Sequence, residues 1–444
     1  MSTSLLLLQL VAITHATVID VATGTRTLDQ TIVVSGRRIS AVGASARTSV
    51  PTGAVVVDAR GKFVIPGLWD MHVHNDLPGG RALLPLFIAH GVTGVRDMNG
   101  TLPNLRRWQS EIAAGKLVGP RMFISGPYVA GSPVPLPHLL ARTADDGTAA
   151  VDSLVKLGVD FIKVHNALGP PAFFAVARAA RARGIVFAGH VFPPVTPLQA
   201  SDSGIRSQEH LSGFPNECTR QDSVAFAGAL PLQRFLFGGC TREPQAPIYE
   251  RIARNGTWIT PTLTVQQPLA DLEPTAQSGS ATAAHYSDSL LALMRVVMPF
   301  PPNPPAAARA AGRAMLAKRF VMVGAMHRAG IPLLTGTDSP IAPSPPGAAL
   351  HDELELLVQA GLTATAALRS ATVEPARYFA ATDSLGKVAA GQVADLVVLD
   401  ADPTVNIRNV RRIHVVLADG RVYDAAARAA LIDGVRRAAR GTTP

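Results

Sequence analysis

At 444 residues the chain is too long for one small domain; its 47% apolar content allows a large core, and 16% charged residues argues against disorder. The net charge of +9 comes from arginines scattered along helix-like stretches, such as Arg178, Arg181, Arg183, Arg437 and Arg440. No Lys/Arg run is interleaved with aromatics and no run reaches the ~18 apolar residues of a membrane span, so neither a nucleic-acid nor a membrane partner is expected.

The opening Met1 to Leu10 contains Leu5 to Leu8, which resembles part of a signal peptide's apolar region without a basic leader or a clear cleavage site. It runs directly into strand-like sequence at Val11 to Asp20. The chain as written reads as soluble and cytoplasmic, with a secreted or periplasmic location open if a leader has been trimmed. Residues 11–62 read as short strands: Ile32-Val33-Val34 and Ile39 to Val42 flank a hairpin signal at Ser35-Gly36-Arg37-Arg38, and Val55-Val56-Val57 follows. The same texture returns near the end, where Leu396 to Leu399 is strand-like and Ile413 to Leu417 meets Arg421-Val422-Tyr423 across Asp419-Gly420, a strong hairpin cue. Two strand-rich ends around a different middle predict one small β-sandwich domain built from residues 1–62 and 381–444, the latter with a C-terminal helix.

The middle, residues 63–380, repeats another pattern: an apolar-striped helix ends in Gly, and a short β-branched run follows. The glycines are Gly91, Gly158, Gly184, Gly204, Gly256 and Gly330, each where a helix C-cap favours the left-handed conformation. Helices such as Ala150 to Leu157 and Pro171 to Arg183 precede strands such as Phe161-Ile162, Ile185 to Phe187 and Ile331 to Leu334. With Ile65 to Val73 and Met122 to Ile124, the pattern yields eight strands and predicts an α/β fold, a (β/α)8 TIM barrel. Cys218 and Cys240 lie in a Gly/Pro-punctuated insertion and read equally as a disulfide or as two free thiols.

Ionisable residues recur where these strands end. His72 and His74 close the first strand and, one residue apart, share a face. Lys163, His190, His210 and Asp338 follow Gly158, Gly184, Gly204 and Gly330 by five to eight residues, placing them on the rim where barrel enzymes keep their chemistry. Four histidines and an aspartate suit zinc or a similar divalent ion. A buried Lys163 ammonium beside metal charge would cost several kcal/mol. Losing its proton and reacting with carbon dioxide turns it into an anionic carbamate able to bridge two metals. The competing reading has Lys163 reaching outward to solvent.

At Pro66-Gly67-Leu68-Trp69-Asp70-Met71-His72-Val73-His74, Asp160-Phe161-Ile162-Lys163, Gly189-His190, Gln208-Glu209-His210, Thr335-Gly336-Thr337-Asp338 and the tail Leu385-Gly386 through Gly391-Gln392-Val393-Ala394-Asp395-Leu396, the chain resembles the amidohydrolase superfamily. The resemblance is to its binuclear branch, related to imidazolonepropionase and the prolidase-like Xaa-Pro and Xaa-aminoacyl metallopeptidases. It implies His72, His74 and Asp338 on a more buried ion, His190 and His210 on a more exposed one, and carboxylated Lys163 between them. It further implies a water between metals roughly 3.5–4 Å apart, acidified to hydroxide, attacking an amide carbonyl, with Asp338 as base and then acid. The implied substrates are N-acyl amino acids, dipeptides or related small-molecule amides; relatives that cleave an amide beside a bulky aromatic group, ochratoxin-hydrolysing ones included, share the architecture.

Three other readings stand beside this one. Single-metal deaminases of cyclic amidines usually carry Glu three residues after the strand-five histidine, whereas Val191-Phe192-Pro193 follows His190 here. Lactone or ester hydrolysis would use the same site, and a barrel serving only as an assembly subunit typically lacks several ligands. The loop Pro127 to His138 should overhang the site, offering Tyr128 and His138 as substrate-binding groups, His138 toward a carboxylate. The Pro-rich stretch Met298 to Pro305 and the insertion Phe214 to Pro247 read as a lid or a homo-oligomer contact.

Overall fold

The computed structural model describes residues 9–273, 281–298, 300–341 and 344–441. The leucine run Leu5 to Leu8 and Pro299 of the Pro-rich stretch lie outside the described residues. Among the described residues, no helix is long and apolar enough to cross a membrane.

Strands from both chain ends form one eight-stranded mixed sheet. Its order runs Arg421–Tyr423, Ile413–Ala418, Leu396–Leu399, Phe63–Pro66, Leu10–Asp20, Thr25–Ser35, Arg38–Ala44, with Val55–Asp58 also beside Leu10–Asp20. Both expected hairpins are present: Ser35 pairs with Arg38, and Ala418 pairs with Arg421. The second turn places Asp419 and Gly420 at φ of 53° and 77°, the left-handed pair a two-residue hairpin requires. These strands share an apolar core including Val11, Ile13, Val34, Val64, Leu396 and Val398. A helix, Ala425–Ala439, follows the last strand. The strands from both chain ends are thus joined in one continuous hydrogen-bonded sheet.

The run Ile65 to Val73 is two strands rather than one. Phe63–Pro66 pairs with Leu396–Leu399 in the terminal sheet, and after Gly67 the strand Leu68–Val73 begins a separate parallel sheet with Val92–Asp97 and Arg121–Ile124. A further parallel sheet runs His138–Leu140, Tyr128–Ala130, Ile162–Val164, Phe187–Gly189, Ser207–Glu209, Trp258–Thr260. The two parallel sheets approach each other on both sides. On one, the Asp160 amide donates to the Ile124 carbonyl at 3.0 Å. On the other, Ile259 bridges Leu333, and the segment beyond it rejoins the first strand where Val73 bridges Ser339. Helices such as Ala144–Lys156 and Pro170–Ala182 connect successive parallel strands, as the glycine punctuation predicts. Most of these strands, such as Leu68–Val73, Val92–Asp97, Ile162–Val164 and Trp258–Thr260, are buried along their whole length.

Candidate metal centre

The polar residues at the ends of these strands gather in one place. His72 is wholly buried on Leu68–Val73 and His74 follows it; their ring centroids are 5.3 Å apart. The His72 ring lies 4.4 Å from that of His210 and 6.5 Å from that of His190. Asp338 completes the cluster, with Oδ1 3.0 Å from His74 Nε2 and 3.4 Å from His72 Nε2. Two triads could each hold one ion, His72–His74–Asp338 and His72–His190–His210, the ligand atoms of each lying within 4.8 Å of one another. Lys163 is fully buried on Ile162–Val164, its Nζ 3.5 Å from His72 Nε2. It points into the cluster rather than to solvent.

The backbone is bent to achieve this. His210, Leu211, Thr262 and Asp338 all have positive φ, an arrangement that costs L-residues about 1–3 kcal/mol each and persists only where the surroundings enforce it. Two glycines make room. A Cβ at Gly336 would lie 2.8 Å from the His72 Cβ, and one at Gly189, before His190, would strike the Val164 carbonyl oxygen at 2.1 Å.

Partners outside the cluster fix which nitrogen of each ring faces inward. His190 Nδ1 lies 2.6 Å from the Asn166 amide oxygen, which can only accept, so Nδ1 carries the proton. The Thr262 hydroxyl donates to the Pro261 carbonyl at 2.8 Å and accepts from His210 Nδ1 at 2.7 Å. His72 Nδ1 donates to Glu209 Oε2 at 2.8 Å. Three rings thus present unprotonated Nε2 atoms to the interior, the form in which imidazole binds a metal. Burial, followed by the Lys163 charge, pushes the His72 and His190 pKa values well below the usual imidazole range. Burial likewise takes Lys163 down to about 7, against the raising effect of Glu209 and Asp338. Burial tends to raise Asp338, but His210, the His74 hydrogen bond and Lys163 outweigh it and hold the carboxylate well below its usual range. The donor set therefore fits divalent metal: imidazole lone pairs, an ionised carboxylate and an amine poised to be neutral.

Several members of this site were not singled out from the sequence. Arg96 is fully buried; it donates to the Met71 carbonyl and Ser207 hydroxyl at 2.7 Å each and pairs with Glu209 at 2.9 Å. A charged residue within the buried run Val92 to Asp97 was the available signal, since such a charge must be paired. Asp70 accepts from the His72 and Thr337 amides at 3.2 and 3.1 Å, tying the first ligand strand to the segment that ends at Asp338. His165 shares the strand face of Lys163 by alternation, and its ring stacks on Tyr128 at 4.2 Å and sits 4.6 Å from His190. Tyr128 is buried with its hydroxyl 3.4 Å from His74 Nδ1. His138 is in register with Tyr128 on the neighbouring strand, but its Nδ1 donates to the Leu136 carbonyl at 2.8 Å rather than to a member of the cluster. The structure joins Cys218 to Cys240, with 5.4 Å between their Cα atoms.

Comparison with known proteins agrees with this geometry. The curated imidazolonepropionase of Anaeromyxobacter dehalogenans (strain 2CP-1 / ATCC BAA-258) is 25% identical over 430 residues, covering 90% of this chain and 92% of that protein. The solved bottromycin amidohydrolase superposes with a TM-score of 0.74 at 25% identity, covering 97% of this chain and 90% of that one. A Xaa-Pro dipeptidase with bound methionine in the active site has the same fold, with a TM-score of 0.67 at 20% identity over 94% of this chain and all (100%) of that one. Matches to a dihydroorotase of Pelotomaculum thermopropionicum (strain DSM 13744 / JCM 10971 / SI) and to adenine deaminase 2 of Jannaschia sp. (strain CCS1) are local, spanning 21% and 10% of those proteins. The amidohydrolase family profile covers residues 63–423, from the strand before the histidine pair to the last strand of the terminal sheet, and with the site it encloses this establishes that the chain belongs to the amidohydrolase family, hydrolases acting on carbon–nitrogen bonds.

Proposed function

We propose that the chain is a metal-dependent hydrolase that splits an amide bond whose leaving amine belongs to a free amino acid, as in an N-acyl amino acid, a dipeptide or a related amide of the ochratoxin kind. The observation that carries this reading is the locking of three imidazoles by Glu209, Asn166 and Thr262, which leaves their Nε2 atoms free for metal, that of His72 lying beside Asp338 and Lys163. The scaffold is read as a (β/α)8 barrel with a small domain from both chain ends. His72, His74 and Asp338 would hold one ion and His190 and His210 the other, with Lys163, carboxylated by carbon dioxide, between them; imidazole-rich ligation favours zinc. When bound, the two ions supply an acidified water and a Lewis acid for the carbonyl.

The chain's own groups supply the rest. Asp338 accepts the proton released as water oxygen bonds to the carbonyl carbon, and returns it to the nitrogen as the carbon–nitrogen bond breaks. His74 Nε2 and Asp338 Oδ1, 3.0 Å apart, would face the same ion. Tyr128 and His138, side by side across two strands, are the candidates for holding the substrate carboxylate. A deaminase's ring-protonating acid has no counterpart, because Pro193 stands at its position.

A panel of N-acyl amino acids, Xaa-Pro dipeptides, their C-terminal amides, aryl esters and cytosine-like rings tests the reading. Free acids should be cleaved at least tenfold faster than their amides, since a lost charged hydrogen bond costs ~1.5–3 kcal/mol. His138→Ala should shrink that gap. Equal cleavage of acids and amides removes the carboxylate recognition, and reaction of the rings alone makes the protein a deaminase.

A further inference from the structure

Residues that follow His190 and His210 in the chain, Phe192 to Leu198 and Gly213 to Pro215, form the near wall of a cavity. Its volume is about 1110 Å³, and its walls include Phe192, Pro193, Phe214, Phe235 and Ile248. Phe192 links the two spaces: its ring meets the His190 ring edge-on at 5.9 Å and stacks on Phe235 at 4.5 Å with planes 6° apart. Phe235 is nevertheless 49% exposed, an aromatic face left to water one ring beyond the neighbour of His190.

The far wall is held firmly. The insertion Phe214 to Pro247 is stapled by the Cys218–Cys240 disulfide, and the buried Asn216 amide donates to the Phe237 carbonyl at 2.7 Å. On the near wall, buried Arg319 donates to the Leu211 and Phe214 carbonyls at 3.1 and 3.2 Å, anchoring the turn after His210. A wall so fixed can act as a preformed subsite, and the cavity is as large as those that enclose drug-sized ligands.

Charge decides which end of a substrate fits. Among the described lining residues the cation is Arg234, whose guanidinium is engaged with the Ala229 and Ala227 carbonyls at 3.0 and 2.8 Å. Glu243 contributes negative charge to the same lining. A free carboxylate would be poorly received there, whereas a flat uncharged ring can lie against the Phe192–Phe235 stack. With the carbonyl placed beside His190 and His210 and the amino-acid carboxylate excluded, the group that enters is the acyl substituent.

We infer that this cavity is an acyl subsite for a flat aromatic group of fused-ring size, with Phe192 and Phe235 setting the preference. The inference rests on the amide-hydrolase reading above. Zinc-loaded wild type and Phe235→Ala are compared on N-(2-naphthoyl)phenylalanine and N-acetylphenylalanine, and on equilibrium binding of neutral 2-naphthamide followed by fluorescence. The wild type should prefer the naphthoyl over the acetyl substrate by about tenfold or more in kcat/KM, and Phe235→Ala should abolish most of that preference through KM. Naphthamide affinity should fall about tenfold in the same variant, with bound metal unchanged. Phe235→Leu, which keeps an apolar side chain without the ring, should lie between the two. Acetyl and naphthoyl substrates cleaved alike by wild type, or naphthamide bound alike by wild type and Phe235→Ala, would overturn the subsite. Naphthamide binding that depends on Phe235 without cleavage of either amide would uphold the subsite and remove the amide-hydrolase reading instead.

Discussion

His72 Nδ1 lies 2.8 Å from Glu209 Oε2, and both side chains are entirely shielded from solvent. Glu209 in turn receives Arg96 Nη2 at 2.9 Å, so a buried ion pair is placed directly behind a metal-facing imidazole. Partners of this kind set the tautomer of a ligand histidine, and losing one typically weakens metal binding 10–100-fold. Glu209→Gln, which keeps the volume and one acceptor, should weaken metal affinity by about that factor in a competition titration against a chelator. It should also lower Tm, because Arg96 loses its countercharge. Unchanged metal affinity would show that Asp338 and the remaining rings orient His72 without help.

Lys163 is expected to behave as a ligand precursor rather than as a charge. Lys163→Ala should lose metal and nearly all turnover. Short carboxylic acids added to that variant should restore part of the rate by supplying the missing oxygens. Full metal content and a normal rate in the variant would remove the carbamate from the account.

Behind the second metal triad, Glu353 accepts the Leu263 and Thr264 amides at 2.9 and 2.7 Å and so holds the turn carrying Thr262, the partner of His210. Burial raises its carboxyl to about 8, more than those two hydrogen bonds lower it. The folded state therefore keeps a proton that the unfolded state loses, and stability falls as pH rises from about 4.5 to about 8. Glu353→Gln should flatten this part of the stability–pH curve in urea titrations at a series of pH values. A curve parallel to wild type would mean that Glu353 is ionised in the folded protein throughout.

The Cys218–Cys240 bridge closes a loop across a separation of 22 residues, for which a chain-entropy argument gives about 3 kcal/mol of constraint on the unfolded chain. Reduction, or Cys240→Ser, should open the insertion Phe214 to Pro247 to limited proteolysis well before the rest of the chain, while bound metal is retained. Protease resistance unaffected by reduction would show that packing around Phe226 and Phe237 suffices.

The parallel strands and the cluster were readable because each depends on a local pattern. Glycine after an apolar-striped helix marks where a strand begins, and a strand in a two-sided sheet can tolerate His or Lys only where it ends in a site. The hairpin at Asp419-Gly420 was legible for the same reason, since its turn type demands left-handed residues. What escaped was set by contacts between distant segments. Arg96 and Glu209 are 113 positions apart, and Asn166 reaches His190 only after two strands are laid in register. The split of Ile65 to Val73 was hidden because Gly67 interrupts a run that is apolar throughout, and pairing with Leu396–Leu399 decides where the first half belongs. The cavity walled by Phe192 and Phe235 depends on an irregular insertion, where hydrophobic periodicity carries no signal.

Metal stoichiometry of the gently purified protein, followed by elemental analysis alongside turnover as metal is added back, tests the central claim most directly. Five ligand side chains form two triads that share His72, with Lys163 beside them, and the account predicts close to two divalent ions per chain with activity rising as the second is bound. Saturation at one ion per chain with full activity would contradict it.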